Sequence, residues 1–185
     1  MRLFIAVPLP SPICEQAGSL LRKLRERDWP VRWVQDDGLH ITLKFFGEVT
    51  SDRLDAIEEV LGRAAVGIGG IGLRLGKGGA FPDARRPRVL QLEIESEPGL
   101  EVLQDRLERG STEIGFAPEG RPFIPHVTLG RVREGHRLPA EAVRELERIA
   151  DGLSARARAD RVVLFESRLG PSGPAYVERS AHGLP

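Results

Sequence analysis

Asparagine is absent from this chain, and methionine and cysteine occur once each. The lone cysteine, Cys14, cannot close an internal disulfide, so a reducing, cytoplasmic setting is expected. It falls among apolar neighbours in a helix-like stretch with no histidine nearby, which marks a structural thiol rather than a nucleophile. Few thermolabile residues suit a protein kept at high temperature. Net charge is also missing: 27 Lys and Arg balance 27 Asp and Glu. Nothing global therefore demands a polyanion, and any nucleic-acid contact must come from a local patch. Only three cations are lysines, Lys23, Lys44 and Lys77; arginine, the better planar partner for phosphate, supplies the rest. No apolar run approaches a membrane span, and Met1–Val7 meets Pro8 too early for a signal peptide. Histidine is scarce too, with four in all. His136 and His182 lie in polar or terminal context, and no Cys or His stands at ligand spacing from His40 or His126. No metal site and no cofactor are expected.

What is present is a repeat. Leu39-His40-Ile41-Thr42-Leu43-Lys44-Phe45-Phe46-Gly47 and Pro125-His126-Val127-Thr128-Leu129-Gly130-Arg131 each carry His-x-Thr-Leu in a strand-like setting. Threonine fills only 4 of 185 positions, yet it stands two residues after two of the four histidines. Side chains of a strand alternate faces. His40 and Thr42 therefore share one face, as do His126 and Thr128, while Ile41, Leu43, Val127 and Leu129 suit a core. A pair of buried structural histidines is the plainer alternative.

The remaining elements fit a mixture of hairpins and helices given twice. Strands are expected at 2–7, 31–34, 69–76, 87–95, 156–166 and 175–179. Helices are expected at 12–27 with Ser11 as N-cap, at 52–65 after Ser51, at 99–114 after Pro98, and at 139–151 from Pro139. Asp36-Asp37-Gly38 reads as a turn that would make 31–34 an antiparallel neighbour of the first His strand. Residues 76–87 read as a loop. The His strands sit 86 residues apart, and no flexible linker divides the chain. The fold class expected is α+β: one domain, 1–185, of two intertwined lobes related by a pseudo-twofold axis. Each lobe would have an antiparallel sheet flanked by helices, with a central groove between them.

Two motifs do not hold up. Gly67-Ile68-Gly69-Gly70-Ile71-Gly72 fits G-x-G-x-x-G, but a helix precedes it and a strand follows, the reverse of a dinucleotide site. Gly76-Lys77 lacks both the earlier glycine and the following hydroxyl of a P-loop.

Two imidazoles facing one cleft can divide acid and base duties, since unperturbed histidine titrates near pH ~6.5. A group that needs both is a phosphodiester, and threonine hydroxyls beside the rings can hold its non-bridging oxygens. Lys44, in phase with His40 and Thr42 by simple alternation, is a candidate phosphate contact, with an exposed structural lysine as the competing reading. Phe45 could stack on a base, although a core phenylalanine is the plainer reading.

With His40–Val49 and Arg121–Leu129 in hand, the chain resembles the 2H phosphoesterases, and within them the RNA 2′,3′-cyclic phosphodiesterases, also called 2′-5′ RNA ligases. Met1–Val7, Trp33-Val34, Pro87–Leu90 and Leu164–Ser167 extend the resemblance over nearly the whole chain; the tail from Gly170 to Pro185 is the part that does not align. The resemblance implies metal-independent hydrolysis of RNA-terminal 2′,3′-cyclic phosphate to a 2′-phosphate, with a weak, reversible 2′-5′ ligation. It implies His40 as general acid, His126 as general base, and Thr42 and Thr128 on the phosphate oxygens. Arg131 matches a basic position that some members carry; simple alternation puts it out of phase with His126, so a twist or bend would be needed. RNA ends or nucleoside cyclic phosphates would be the partners, no membrane would be involved, and the chain is expected to be a monomer. A main role in ligation, or non-catalytic binding of RNA ends, are the alternatives.

Overall fold

The computed structural model describes residues 1–170 and 173–185; Pro171 and Ser172, in the tail that resists alignment, lie outside them. The first strand, β1 (Arg2–Pro8), leads into α1 (Ser11–Arg25). Pro10, not Ser11, caps that helix: its carbonyl accepts the backbone N–H groups of Ile13 and Cys14 at 3.0 and 2.9 Å, and Ser11 is already helical. Ile13, Ala17, Leu20, Leu21 and Leu24 form the buried stripe that the spacing predicts. β2 (Val31–Trp33) and a 3-10 turn at Asp36–Gly38 precede the first His strand, β3 (His40–Glu48). α2 (Leu54–Ala65), β4 (Ile71–Phe81), β5 (Val89–Ser96) and α3 (Gly99–Glu113) follow. The second His strand is β6 (His126–Val132), and the chain ends with α4 (Ala142–Ala150), β7 (Arg156–Ala159), β8 (Arg161–Gly170) and β9 (Gly173–Gly183).

All nine strands form one antiparallel sheet in the order β7-β4-β5-β6-β3-β1-β8-β9, with β2 added to β6. Two separate sheets were expected. The two halves instead meet where β3 pairs with β6, and they do so at a single position, Ile41 opposite Val127. Beyond it the strands part, and β2 takes over the freed edge of β6 with Arg32 opposite Arg131. β2 is therefore a neighbour of the second His strand, not the first. Its turn at Asp36–Gly38 carries the chain out of one half and into the other instead of closing a hairpin.

Further boundaries differ from expectation, among them the start of the fourth helix, which begins at Ala142 and not at Pro139. The predicted strand 156–166 breaks at Asp160, because β7 pairs with β4 in one half while β8 pairs with β1 and β9 in the other. β4 runs on through Gly76–Phe81 across a register shift opposite β5, so the predicted loop shortens to the hairpin tip after Phe81. The tail is a long edge strand, β9.

The helices cover one face only. α1 and α4 pack on β7 and β4, while α2 and α3 pack on β3, β8 and β9. One continuous core joins Leu3, Ile5 and Val7 of β1 to Ile41, Val127, Leu129 and the helix stripes. Burying that apolar face fixes the parity of both His strands and turns His40 and His126 to the opposite, open face of the sheet.

Candidate active site

Continuing the Ile41–Val127 register by one residue sets His40 across from Thr128 and Thr42 across from His126. The four side chains thus make a diamond around the point where the two half-sheets meet, and all four are half-buried. Each imidazole is held in the same way. The Nδ1–H of His40 donates to the Gly38 carbonyl at 2.7 Å, and that of His126 donates to the Ile124 carbonyl at 2.8 Å. Such a bond fixes the tautomer and leaves Nε2 of each ring free toward the groove.

Both strands then bulge at the same place. Opposite β1, Thr42 pairs with Ala6 and Lys44 with Ile5, which leaves Leu43 over. Opposite β5, Thr128 pairs with Gln91 and Gly130 with Leu90, which leaves Leu129 over. An extra residue reverses the alternation beyond it. The residues four after each histidine, Lys44 and Gly130, are buried, and the residues five after, Phe45 and Arg131, are exposed on the groove face.

This corrects two expectations and supplies the bend that Arg131 needed. Lys44 does not face the groove and is not an exposed lysine. It is 2% exposed, with Nζ 2.8 Å from Oε1 of Glu108 on α3 and 2.9 Å from the Ala117 carbonyl. Phe45 is not a core residue: it is 43% exposed, with the Arg2 guanidinium 5.0 Å above its ring. Arg131 comes into phase with His126 and Thr128, and its charge acts on Tyr176 from across the groove.

The two histidines differ in their surroundings. His40 lies among Phe4, Phe165 and Tyr176, at centroid separations of 4.9, 6.4 and 5.2 Å. Among the described residues no aromatic ring stacks on His126. Burial in this enclosure pushes the His40 imidazole below the ordinary histidine value; the Gly38 carbonyl opposes that, and the positive charge of nearby His126 adds to it. Burial raises the Tyr176 phenol, against the pull of Arg131 and Arg2.

The arrangement brings together His40, His126, Thr42, Thr128, Phe45 and Arg131, and leaves Lys44 out. The aromatic enclosure and Arg2 are additions to the residues picked out by sequence. Groups of three or more His, Cys, Asp or Glu side chains disposed to hold a metal ion are absent among the described residues. No helix among them is long and apolar enough to cross a membrane.

A family described as LigT like Phosphoesterase matches the chain over residues 7–91 and 92–176. The chain is similar to an RNA 2′,3′-cyclic phosphodiesterase of Methanothermobacter thermautotrophicus, with 34% identity over 187 residues covering 100% of this chain and 99% of the relative. An RNA 2′,3′-cyclic phosphodiesterase of Thermotoga maritima is 32% identical over 176 residues, 95% of this chain and 91% of its own. Among solved structures, TT0787 of Thermus thermophilus superposes with a TM-score of 0.82 at 27% identity, covering 100% of this chain and 98% of that one. E. coli LigT complexed with 3′-AMP superposes with a TM-score of 0.78 at 28% identity, covering 99% and 97%.

Proposed function

From the premise that this chain belongs to the LigT-like phosphoesterase family, we propose that it is an RNA 2′,3′-cyclic phosphodiesterase that opens a terminal cyclic phosphate to a 2′-phosphate. The observation that carries this reading is that His40 and His126 flank the Ile41–Val127 pair at the β3–β6 junction on the open face of the sheet, each with Nδ1 held by a backbone carbonyl and Nε2 left free.

Water attacks phosphorus while Nε2 of His126 takes its proton. The bond from phosphorus to the 3′ oxygen breaks, and Nε2–H of His40 protonates that oxygen, leaving a 3′-hydroxyl and a 2′-phosphate. Thr42 and Thr128 donate to the non-bridging oxygens, and Arg131 adds positive charge beside them. These donors suffice for the developing charge without calling on a metal. Phe45 offers its exposed face to the terminal base.

The enclosure of His40 favours its neutral form in the free protein. An anionic phosphodiester seated beside it favours the imidazolium, so substrate binding itself loads the acid. The low basicity of the enclosed ring then makes it a good donor to the departing oxygen. The repeated tautomer lock, the repeated bulge and the two consecutive family matches support a duplicated origin of the two half-sites. A cytoplasmic monomer suits the unpaired Cys14.

An oligonucleotide ending in 2′,3′-cyclic phosphate, incubated with the protein in EDTA, tests the reading by end-group analysis. The expected product carries a 2′-phosphate and a 3′-hydroxyl. Adding a 5′-hydroxyl acceptor separates hydrolysis from ligation, and hydrolysis is expected to dominate because concentrated water outcompetes a bound hydroxyl unless the site positions that hydroxyl well. Wild-type protein that binds the end and never opens it would leave only a binding role.

A further inference from the structure

One row of residues runs out of the site across the open face of the sheet. Arg131 on β6 pairs with Val89 on β5, and Val89 pairs with Phe81 on β4. Cross-strand partners share a face, so Phe81 stands on the same face as Arg131, two strand spacings or about 10 Å away. On the other side of Arg131 the row continues to Arg32 on β2.

Phe81 is 40% exposed, and the guanidinium of Arg121 lies 4.7 Å from its ring centroid. Arg121 comes from the segment that enters the second His strand, so that segment reaches across the groove face to the β4–β5 hairpin. The hairpin tip carries Arg85, Arg86 and Arg88 against a single acid, Asp83. That carboxylate is turned onto the backbone, where its Oδ1 accepts the N–H groups of Arg85 and Arg86 at 2.7 and 2.9 Å. In a chain with no net charge, this is a local concentration of cations around an exposed aromatic ring, continuous with the catalytic groove. A polar rim would solubilise the hairpin equally well without an exposed phenylalanine. A ring for base stacking with guanidinium groups for backbone phosphates is the composition of a single-strand nucleic-acid surface.

Resting on the function proposed above, we infer that Phe81 and Arg121 form a second nucleotide position, which receives the residue on the 5′ side of the terminal nucleotide. Its base stacks on Phe81, and Arg121 flanks the phosphate that links the two nucleotides. The site would then recognise an RNA end of at least two nucleotides, with little base preference, because every base has a stacking face.

The test compares equilibrium binding of a nucleoside 2′-phosphate with that of a dinucleotide bearing the same 2′-phosphate end. Wild-type protein, Phe81→Leu and Arg121→Gln are titrated by calorimetry. Turnover of the corresponding cyclic phosphates is followed in parallel. Wild-type protein is expected to bind the dinucleotide about tenfold or more tighter, the scale of one stacked base, and both variants should lose most of that preference. Equal affinity for the two ligands in the wild type, or a preference that survives in both variants, would overturn the second position. A preference that depends on Phe81, found in a protein that opens neither cyclic phosphate, would leave the second position standing and sink the phosphodiesterase reading instead.

Discussion

The ring of Tyr176 stands edge-on to the imidazole of His40, with centroids 5.2 Å apart and planes at 89°. Tyr176 is the only tyrosine in the chain and belongs to β9, the last strand. It closes one side of an enclosure whose other walls are Phe4 and Phe165. The two His strands are otherwise built alike, so this enclosure is what makes their histidines unequal.

The enclosure sets an expectation for pH dependence. If His40 is the acid, it must be protonated to work, so activity falls as pH rises through its pKa. That value is lowered by burial in the free protein. The limb of kcat/KM that reports His40 in the free enzyme should therefore lie below the ordinary histidine value, and its counterpart in kcat should lie higher, because bound phosphate favours the imidazolium. Replacing Tyr176→Ser opens the enclosure to water and should move the kcat/KM limb upward. A kcat/KM profile in which neither limb moves with this substitution would detach His40 from it.

Removing either imidazole should cost about 10²–10⁴-fold in kcat, the usual worth of a positioned acid or base. On the proposed mechanism, His40→Ala and His126→Ala each break the same concerted proton transfer. The double variant should consequently be little slower than the worse single one, since groups acting as a unit are not additive. Single-turnover rates on a cyclic-phosphate oligonucleotide check this. Costs that multiply in the double variant would mean the two rings act in separate steps.

Much of this site was legible in the amino-acid sequence, and the rest was hidden for definable reasons. His40, Thr42, His126 and Thr128 were readable because a two-residue period holds from each histidine to its threonine. One residue later the period fails. The bulges at Leu43 and Leu129 reverse it, so alternation misplaced Lys44 and put Arg131 on the wrong face, although Phe45 and Arg131 share the same five-residue offset from their histidines. Phe4 was hidden for the opposite reason: Leu3–Val7 is apolar at every position, so nothing marks which residues face the groove. The join of the two halves was not readable either. Nothing around Asp160 announces that β7 and β8, consecutive in the chain, belong to opposite ends of the sheet.

Lys44 makes a structural prediction in place of a catalytic one. Its ammonium is buried against Glu108, whose side chain is 19% exposed and also accepts the backbone N–H of Glu119 at 2.6 Å. Lys44→Met removes one partner and strands the carboxylate, which should destabilise the fold by about 3 kcal/mol. For a domain of this size that is about 10 °C in Tm. The double change Lys44→Met with Glu108→Gln removes the stranded charge and should recover part of the loss. Thermal unfolding of both variants decides the matter: no loss in the single variant would mean that the ion pair contributes nothing to stability.

Gly130 occupies in the second strand the place that Lys44 holds in the first, and it is glycine for a steric reason. A Cβ at this position would stand 2.5 Å from Cγ1 of Val31, 2.9 Å from the Trp33 ring and 3.0 Å from the Arg32 carbonyl. These atoms belong to β2, the short strand that covers the edge of β6 where β3 has parted from it. The carbonyl is backbone and cannot swing aside, so Gly130→Ala must push β2 away from β6. The cost of such overpacking is about 1–3 kcal/mol. Arg131 is the next residue and its partner Arg32 is on the displaced strand, so the substitution should also raise KM for a cyclic-phosphate end more than it lowers kcat. Urea unfolding together with steady-state kinetics measures both effects. A variant as stable as the wild type would show that β2 adjusts without strain, and the close approach of the two strands would then have no part in holding Arg131 over the groove.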